Sequence, residues 1–360
     1  MDSKKRILII GFEKKEAISY PHLKDVTDYF KFQCEADYLY FRERGYFLGS
    51  STSMKANIQY MISILISSFH LTQFIYKNIC NKYEKIIVID NFAYVVISMF
   101  AKNTSLWSHD FVTNDQVHKN SMYQKTINKL TNYFLKQRQK IIIQDTNRLK
   151  LFCITHCLNY SDLDIFCLPV SGSPTISEQI TKTPIVPRIL QIGGINQHRS
   201  YSYDLMKHYE NNATKYELHL HGFFDQFIKE EINHLKHIPF CSTLELEPNK
   251  VNKIIEKCDI GFIGYKTDNL NFYYISFASG QLVEFLKLGK PIIVFGNTDL
   301  VNLVKEHNLG FAIVSLEELN SAISYILINY EQLSINCKKL FNEKYNIQNY
   351  LENLHLWLYK

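Results

Sequence analysis

The sequence is poor in the features that would place it outside the ordinary globular proteins. Glycine and proline are sparse, at 13 and 8 in 360 residues, against a background rich in Ile, Asn, Lys, Tyr and Phe, a bias that carries no functional reading. Cysteine neither clusters nor pairs. The eight (Cys34, Cys80, Cys153, Cys157, Cys167, Cys241, Cys258 and Cys337) lie scattered through apolar segments, without the dense spacing of a secreted disulfide framework or the paired Cys-x-x-Cys of a zinc site. They read as reduced, buried thiols in a cytoplasmic protein. No long uninterrupted apolar run occurs. The opening "MDSKKRILIIGF" turns polar again too soon for a signal peptide and reads as a first strand. The stretch from Ala56 to Tyr76 is broken by Gln59, Ser63, Ser67, Ser68, His70, Thr72 and Gln73, so it reads as a domain helix, since a span needs roughly twenty predominantly apolar residues. Repeats, low-complexity tracts and nucleic-acid-binding modules are likewise missing.

What is present is a large apolar reserve, 46% hydrophobic against 21% charged, in a chain long enough for two domains. The net charge of +5 is carried by the first half. Short apolar runs alternate with longer helical patterns, the signature of a parallel sheet wound by helices. The first half supplies "RILIIG", "ADYLYF", "KIIVID", "SLWSHD", "KIIIQD" and "DIFCLP"; the second supplies "RILQIGG", "YELHLHG", "IPFC", "CDIGFIGY", "PIIVFG" and "GFAIV". Between them a Pro-, Ser- and Thr-rich stretch without apolar period reads as a linker. The expected organisation is α/β, two doubly wound Rossmann-like domains facing across a cleft. Residues 1–170 form the first, 171–187 the linker and 188–340 the second; 341–360 form a terminal helix that caps the second domain or crosses back to the first. Open α/β sheets bind ligands at the carboxyl ends of their strands.

One stretch carries most of the chemistry. In "ASGQLVEFLKLGKPIIVFG", Ala278 to Gly296, a small-residue turn opens a helix that stops at Gly289, where a left-handed cap is expected. The unpaired amides of that first turn suit a diphosphate, and Gly280 lets oxygen atoms approach the backbone. Glu284, one turn further in, is placed to accept hydrogen bonds from ribose hydroxyls. A plain βα loop followed by a solvated glutamate accounts for the periodicity equally well.

The run from Cys258 to Val314 resembles the nucleotide-sugar half of GT-B glycosyltransferases: an aspartate-led strand, a variable loop, a small-residue turn, a helix bearing Glu, then Gly-x-Pro and a buried strand. "PRILQIGGINQHRS" is similar to the first strand of that half with its glycine loop, and "SLWSHDF" and "IIIQDTNRLKLF" resemble strands of the acceptor half. The resemblance covers most of the chain in order. It implies that Glu284 binds the donor ribose, that Ser279, Gly280 and Gln281 offer amides to the diphosphate, and that Gly193 and Gly194 lie beneath it. Arg199 would supply fixed charge to the leaving nucleotide, while His221, Gly222 and Phe240 would end strands lining the base pocket. The chain departs from the pattern in two places. Gln281 stands where many relatives have Lys, and Ser276 stands where retaining members carry a second Glu. Charge balance then falls to Arg199 and Lys266, and the stereochemical outcome stays open.

The acceptor side offers His109 and Asp110, at the end of "SLWSHD", as candidate catalytic bases, and Gly11, after the first strand, as a point where an acceptor loop approaches; a structural histidine and a tight turn are the plainer alternatives. Metal chemistry has little to stand on. Asp162-Leu-Asp164 is an isolated triplet, and Cys153, His156 and Cys157 lack the further ligand of a tetrahedral site. Lys125, Lys129, Lys136 and Lys140 fall within one helical sector, a solvated face or a contact for anionic lipid. The reading is a metal-independent hexosyltransferase of the cytoplasm or the inner face of the membrane. It would need no cofactor beyond its donor substrate, a UDP-sugar ahead of a GDP-sugar, and its acceptor would be a saccharide or lipid-linked saccharide of a bacterial surface glycan. The alternatives are a nucleotide-sugar epimerase or hydrolase, and a non-catalytic partner of the same fold that binds glycan or another transferase.

Overall fold

The computed structural model describes residues 6–11, 21–40, 82–109, 111, 122–175, 186–212, 215–234, 238–243, 248–268, 270–296 and 298–360. The stretch 56–76, Asp110 and Cys80 lie outside them. The chain divides into two compact units, one of residues 1–168 with 351–360, the other of 169–350.

The first unit is built on six parallel strands, β1 (Arg6–Gly11), β2 (Glu35–Tyr40), β3 (Lys85–Ile89), β4 (Thr104–Trp107), β5 (Lys140–Ile143) and β6 (Asp164–Cys167), in the order β2-β1-β3-β4-β5-β6. The Ile- and Val-rich runs of β1, β3 and β5 are buried on both faces, as parallel strands covered by helices must be; Ile7, Ile9, Ile87, Val88, Ile141 and Ile142 are all inaccessible. The last ten residues join this unit through Trp357. Its indole donates to Asp164, and Lys140 bonds the Trp357 carbonyl at 2.7 Å, pairs with Asp164 at 3.1 Å and lies over the indole ring. The second carboxylate of the Asp-x-Asp triplet is thereby spent on anchoring a helix.

Lys140 also corrects the basic sector. The helix Met122–Arg138 ends because Gln139 takes a left-handed φ of 62°, which puts Lys140 in β5 and off the helical face. A second correction concerns the thiols. Cys153, Cys258 and Cys337 are buried, but Cys157 and Cys241 are exposed; Cys157 holds the left-handed cap after the helix Thr146–His156, where the chain turns outward.

The second unit repeats the plan with β7 (Arg188–Ile195), β8 (Glu217–Phe224), β9 (Phe240–Ser242), β10 (Ile260–Gly264), β11 (Ile292–Phe295) and β12 (Gly310–Ile313), in the order β12-β11-β10-β7-β8-β9, again all parallel. Leu190, Ile192, Ile263, Ile292 and Val294 pack one face against the helices Gly280–Lys287 and Leu300–His307. Ile189, Leu218, Leu220, Phe262 and Ile293 pack the other face against Ser202–Glu210 and Leu319–Ile328. Charged staples sit at the amino ends of the strands: Arg188 donates to Asp259, and Lys290 to the carbonyls of Glu256 and Cys258. The carboxyl ends are left for other uses. Among the described residues no helix is long and apolar enough to cross a membrane.

Candidate functional site

At the carboxyl end of the second sheet three loops meet. Gly193 and Gly194 belong to the last residues of β7 instead of a free loop, paired with Gly222 and Phe223 of β8. Gly193 has φ of 88° and Gly222 of 147°, and a Cβ on Gly222 would overlap the Gly193 carbonyl. Only glycine allows two backbones so close in that conformation. The outward side of Gly193 is covered by the Gln281 amide, 3.1 Å from where its Cβ would stand, so the end of β7 and the start of the helix Gly280–Lys287 are neighbours.

That helix begins as its sequence dictates. Ser279 is an extended N-cap whose hydroxyl accepts from the Leu282 amide and pairs with the Tyr265 hydroxyl at 3.0 Å. Gly280 is exposed, and among the described residues nothing lies within 4 Å of a Cβ built on it, so the helix start is open on that side. The loop after β7 lies alongside the end of β10: the Lys266 amide donates to the Arg199 carbonyl at 3.0 Å, and Lys266 Nζ donates to the Gln197 carbonyl at 2.8 Å while pairing with Asp204 at 3.7 Å. The Arg199 amide is held by Asn196, and its exposed guanidinium makes no ion pair among the described residues. Gly193, Ser279, Gly280 and Gln281 therefore meet at the helix start, and the Tyr265–Ser279 bond brings it beside the segments that carry Lys266 and Arg199.

Glu284 is less free than its position in sequence implies. Its Oε2 receives a 2.6 Å bond from Lys287, whose side chain is only 5% exposed. A lysine three residues on in a helix is a readable partner, and Lys287 was the signal for it. His221 is buried in β8 beside Ile192 and Ser242. Burial holds its imidazole below the usual pKa, and a bond with the Ser242 backbone only partly offsets this, so the ring is neutral at physiological pH. Its Nδ1 and the Oε1 of Gln281 are buried with no hydrogen-bond partner among the described residues. Phe240 differs from the expectation. It opens β9 in place of ending it and stacks on His219 at 5.6 Å, one step back from the strand ends where the other residues gather.

In the first unit His109 follows β4, stacked on His22 at 5.0 Å and near Trp107 at 5.1 Å. Its carbonyl accepts from Arg148 at 2.7 Å and from Gln144 at 3.0 Å, both buried. Burial, and secondarily the His109 charge, push the His22 pKa well below its ordinary value. Asp110 lies outside the described residues. Gly11 ends β1, and a Cβ there would meet the Tyr38 hydroxyl at 2.6 Å, which gives it a packing reason. Among the described residues no three His, Cys, Asp or Glu side chains are arranged to hold a metal ion.

Residues 201–353 match the family described as Glucosyltransferase 3-like, C-terminal domain. No curated protein matches the sequence. Among solved structures the chain is similar to a sucrose-phosphate synthase from Thermosynechococcus elongatus, with TM-score 0.69 at 12% identity over 99% of each chain. It is also similar to HepE of Anabaena in complex with UDP-glucose, with TM-score 0.68 at 12% identity over 98% of this chain and 99% of that one. A third is WaaG, a glycosyltransferase involved in lipopolysaccharide biosynthesis, with TM-score 0.59 at 10% identity over 93% and 95%. Sheet orders, helix placement and these likenesses agree on the architecture: the chain has the GT-B fold, and residues 201–353 are similar to the Glucosyltransferase 3-like C-terminal domain.

Proposed function

We propose that the protein transfers a sugar from a nucleoside diphosphate donor, a UDP-sugar by preference, to a saccharide or lipid-linked saccharide acceptor in bacterial surface glycan assembly. The observation that carries this is the open helix start at Gly280, next to Gly193 and beside the segments that carry Lys266 and Arg199. HepE, a similar fold, has been crystallised with UDP and with UDP-glucose, which supports the choice of base. In this reading the amides of Gly280 and Gln281 hold the diphosphate. Arg199 and Lys266 neutralise the charge that builds on it as the bond from the anomeric carbon to the phosphate oxygen breaks with its electron pair. The acceptor hydroxyl supplies the new bond, and its proton passes to a base for which His109 and Asp110 are the candidates. Glu284, with one oxygen on Lys287, offers the other to the ribose. No metal is required in this scheme.

The acceptor side fits an anionic surface. Lys125, Lys129, Tyr133 and Lys136 are exposed along the helix Met122–Arg138, which has no acidic residue, and Met99 and Phe100 are exposed after the helix Asn91–Ser98. Sedimentation with vesicles containing phosphatidylglycerol checks this, and equal binding to neutral vesicles sinks it.

The central test is a screen of nucleotide sugars for protection against thermal unfolding, run on the wild type and on Glu284→Gln, which keeps a partner for Lys287. A ligand that stabilises both equally removes Glu284 from ribose binding. A second reading, a non-catalytic binding partner, is favoured by the Glu284–Lys287 pair, and it predicts no binding of UDP or GDP to the folded protein. A nucleotide-sugar epimerase or hydrolase would instead turn over the donor with no acceptor present.

A further inference from the structure

The turn that precedes the open helix is held by residues far from it in sequence. Asp299, in the loop after β11, takes three hydrogen bonds on its carboxylate: Oδ1 accepts from the amides of Ile275 and Ser276, both at 2.9 Å, and Oδ2 from the Ser276 hydroxyl at 2.6 Å. Its own amide donates to the Tyr273 carbonyl at 2.9 Å. From the other side Tyr345 donates its hydroxyl to the Ser276 carbonyl at 3.0 Å and stacks its ring on Phe277 at 5.4 Å, tilted by 16°. Tyr345 is wholly buried, at the end of a π-turn over Phe341–Tyr345 that interrupts the regular helix following Leu340; such turns recur where a side chain must be re-aimed. The chain just after the first unit joins the same knot. Val170 donates to the Phe277 carbonyl, and Gly172 to that of Tyr345.

Ser276 is thus gripped by its amide, its hydroxyl and its carbonyl, three residues before the N-cap Ser279. A carboxylate accepting two amides and a hydroxyl makes short, charge-assisted bonds, and the cost of breaking them is high where the groups are buried. Between this grip and the Ser279 cap lie only Phe277 and Ala278, and the Ala278 amide donates to the Ile275 carbonyl at 2.9 Å. We propose that Asp299 and Tyr345 are positioning residues for the anion-binding turn, pre-aiming amides that neither of them touches. This rests on the reading that those amides hold a nucleoside diphosphate. Pre-aimed donors matter because a displacement of about 1 Å in a binding group is enough to lose a large part of its effect.

The test uses Tyr345→Phe, which removes one hydroxyl and keeps the ring, together with Asp299→Asn and Ser276→Ala, in the full-length protein. Two quantities are measured: amide hydrogen exchange across residues 270–283 without ligand, and the dissociation constant of UDP by calorimetry. We expect exchange in that segment to accelerate at least about tenfold in Tyr345→Phe while β7 and β8 stay protected. UDP affinity should fall about fivefold in Tyr345→Phe and more in Asp299→Asn, with the double variant weaker than the wild type by less than the product of the two single effects, since both act on Ser276. A lower melting temperature with UDP affinity unchanged in Tyr345→Phe and Ser276→Ala means that the knot is merely structural and overturns the proposal. Unchanged exchange in folded Tyr345→Phe overturns it as well. If the wild type binds neither UDP nor GDP, the nucleotide reading falls by itself, and the exchange data still decide whether Asp299 and Tyr345 aim the turn.

Discussion

The two sheets have the same parallel construction, yet among the described residues the end of β4 and the end of β7 are finished in opposite ways. In the first unit the end of β4 is filled: His109 is stacked on His22 beside Trp107, and Arg148, wholly buried, reaches up to hold the His109 carbonyl. In the second unit β7 closes on glycines, and Gly193, Gly194, Gly280 and the Arg199 side chain are exposed. The difference teaches where to look for ligand chemistry in a repeated architecture. A filled end spends its polar groups on itself, whereas a bare end has donors left over.

The largest expected effect breaks the bare end. Gly222→Ala would drive a methyl group into the Gly193 carbonyl at a φ of 147° that other residues avoid, so β7 and β8 must part. We expect a loss of about 4 kcal/mol in the second unit, combining backbone strain with overpacking. Trp107 and Trp357, the two tryptophans of the chain, both belong to the first unit. The loss should therefore be seen in far-ultraviolet circular dichroism before it is seen in tryptophan fluorescence. Simultaneous loss of both signals would mean that the two units unfold as one.

Acid breaks the filled end. His156, buried on Phe152, has its pKa pushed down to about 4 by burial, a bond to the Asn128 carbonyl opposing weakly. Folding with a depressed histidine pKa favours the neutral ring, so the stability is intact above the unfolded value near 6.5 and is lost as pH falls from there to about 4. At 1.36 kcal/mol per unit this amounts to about 3 kcal/mol, and His22 acts in the same direction. Urea midpoints read by tryptophan fluorescence should fall between pH 6.5 and 4. His156→Gln should flatten part of that slope.

How much of this contrast was legible in the sequence differs by element. The central strands were legible because β1, β3, β5, β7, β10 and β11 are short runs rich in Ile, Val, Leu or Phe that must be covered on both faces. The open turn at Ser279 and Gly280 was legible because small residues before an amphipathic helix have few other uses. The grip on Ser276 was not: Asp299 and Tyr345 are 23 and 69 residues away from it, and no local period links them. Nor was Arg148, which reads in "TNRLKLF" as an exposed helical charge until the fold closes over it. Lys140 was misassigned to a helix face because a single left-handed residue, Gln139, carries no marker such as Gly or Asn. Phe240 was placed at the wrong end of β9, whose three residues are too few to show a period.

Arg148 allows a sharper version of the comparison. Replacing it by Met removes its bonds to the His109 carbonyl and the Gln144 side chain, each charge-assisted and worth about 1.5–3 kcal/mol. Part of that is recovered, because a guanidinium no longer has to be buried. The net expected loss is about 2 kcal/mol in the fluorescence-detected transition. UDP affinity should stay unchanged, since the bonds of Arg148 to His109 and Gln144 lie within the first unit. A fall in UDP affinity would show that the filled end also serves the nucleotide.

The smallest effect on stability is the one that separates filling from function most cleanly. Ala at position 280 places its methyl group in open space at the first residue of a helix, where Ala is favoured over Gly, so the melting temperature should hold or rise slightly, within about 1 kcal/mol. The same methyl group stands in front of the amides that a diphosphate must approach, and UDP affinity should fall about tenfold, or about 1.4 kcal/mol. Gly11→Ala is the matching change in the first unit. There the Cβ meets the far end of the Tyr38 side chain at 2.6 Å, a contact relieved by moving one phenol, so the cost should stay near 1 kcal/mol with UDP binding untouched. If Gly280→Ala and Gly11→Ala both leave UDP binding unchanged, the openness of the helix mouth is an accident of packing and the two ends differ in shape alone. If only Gly280→Ala weakens it, the bare end is where the anion sits.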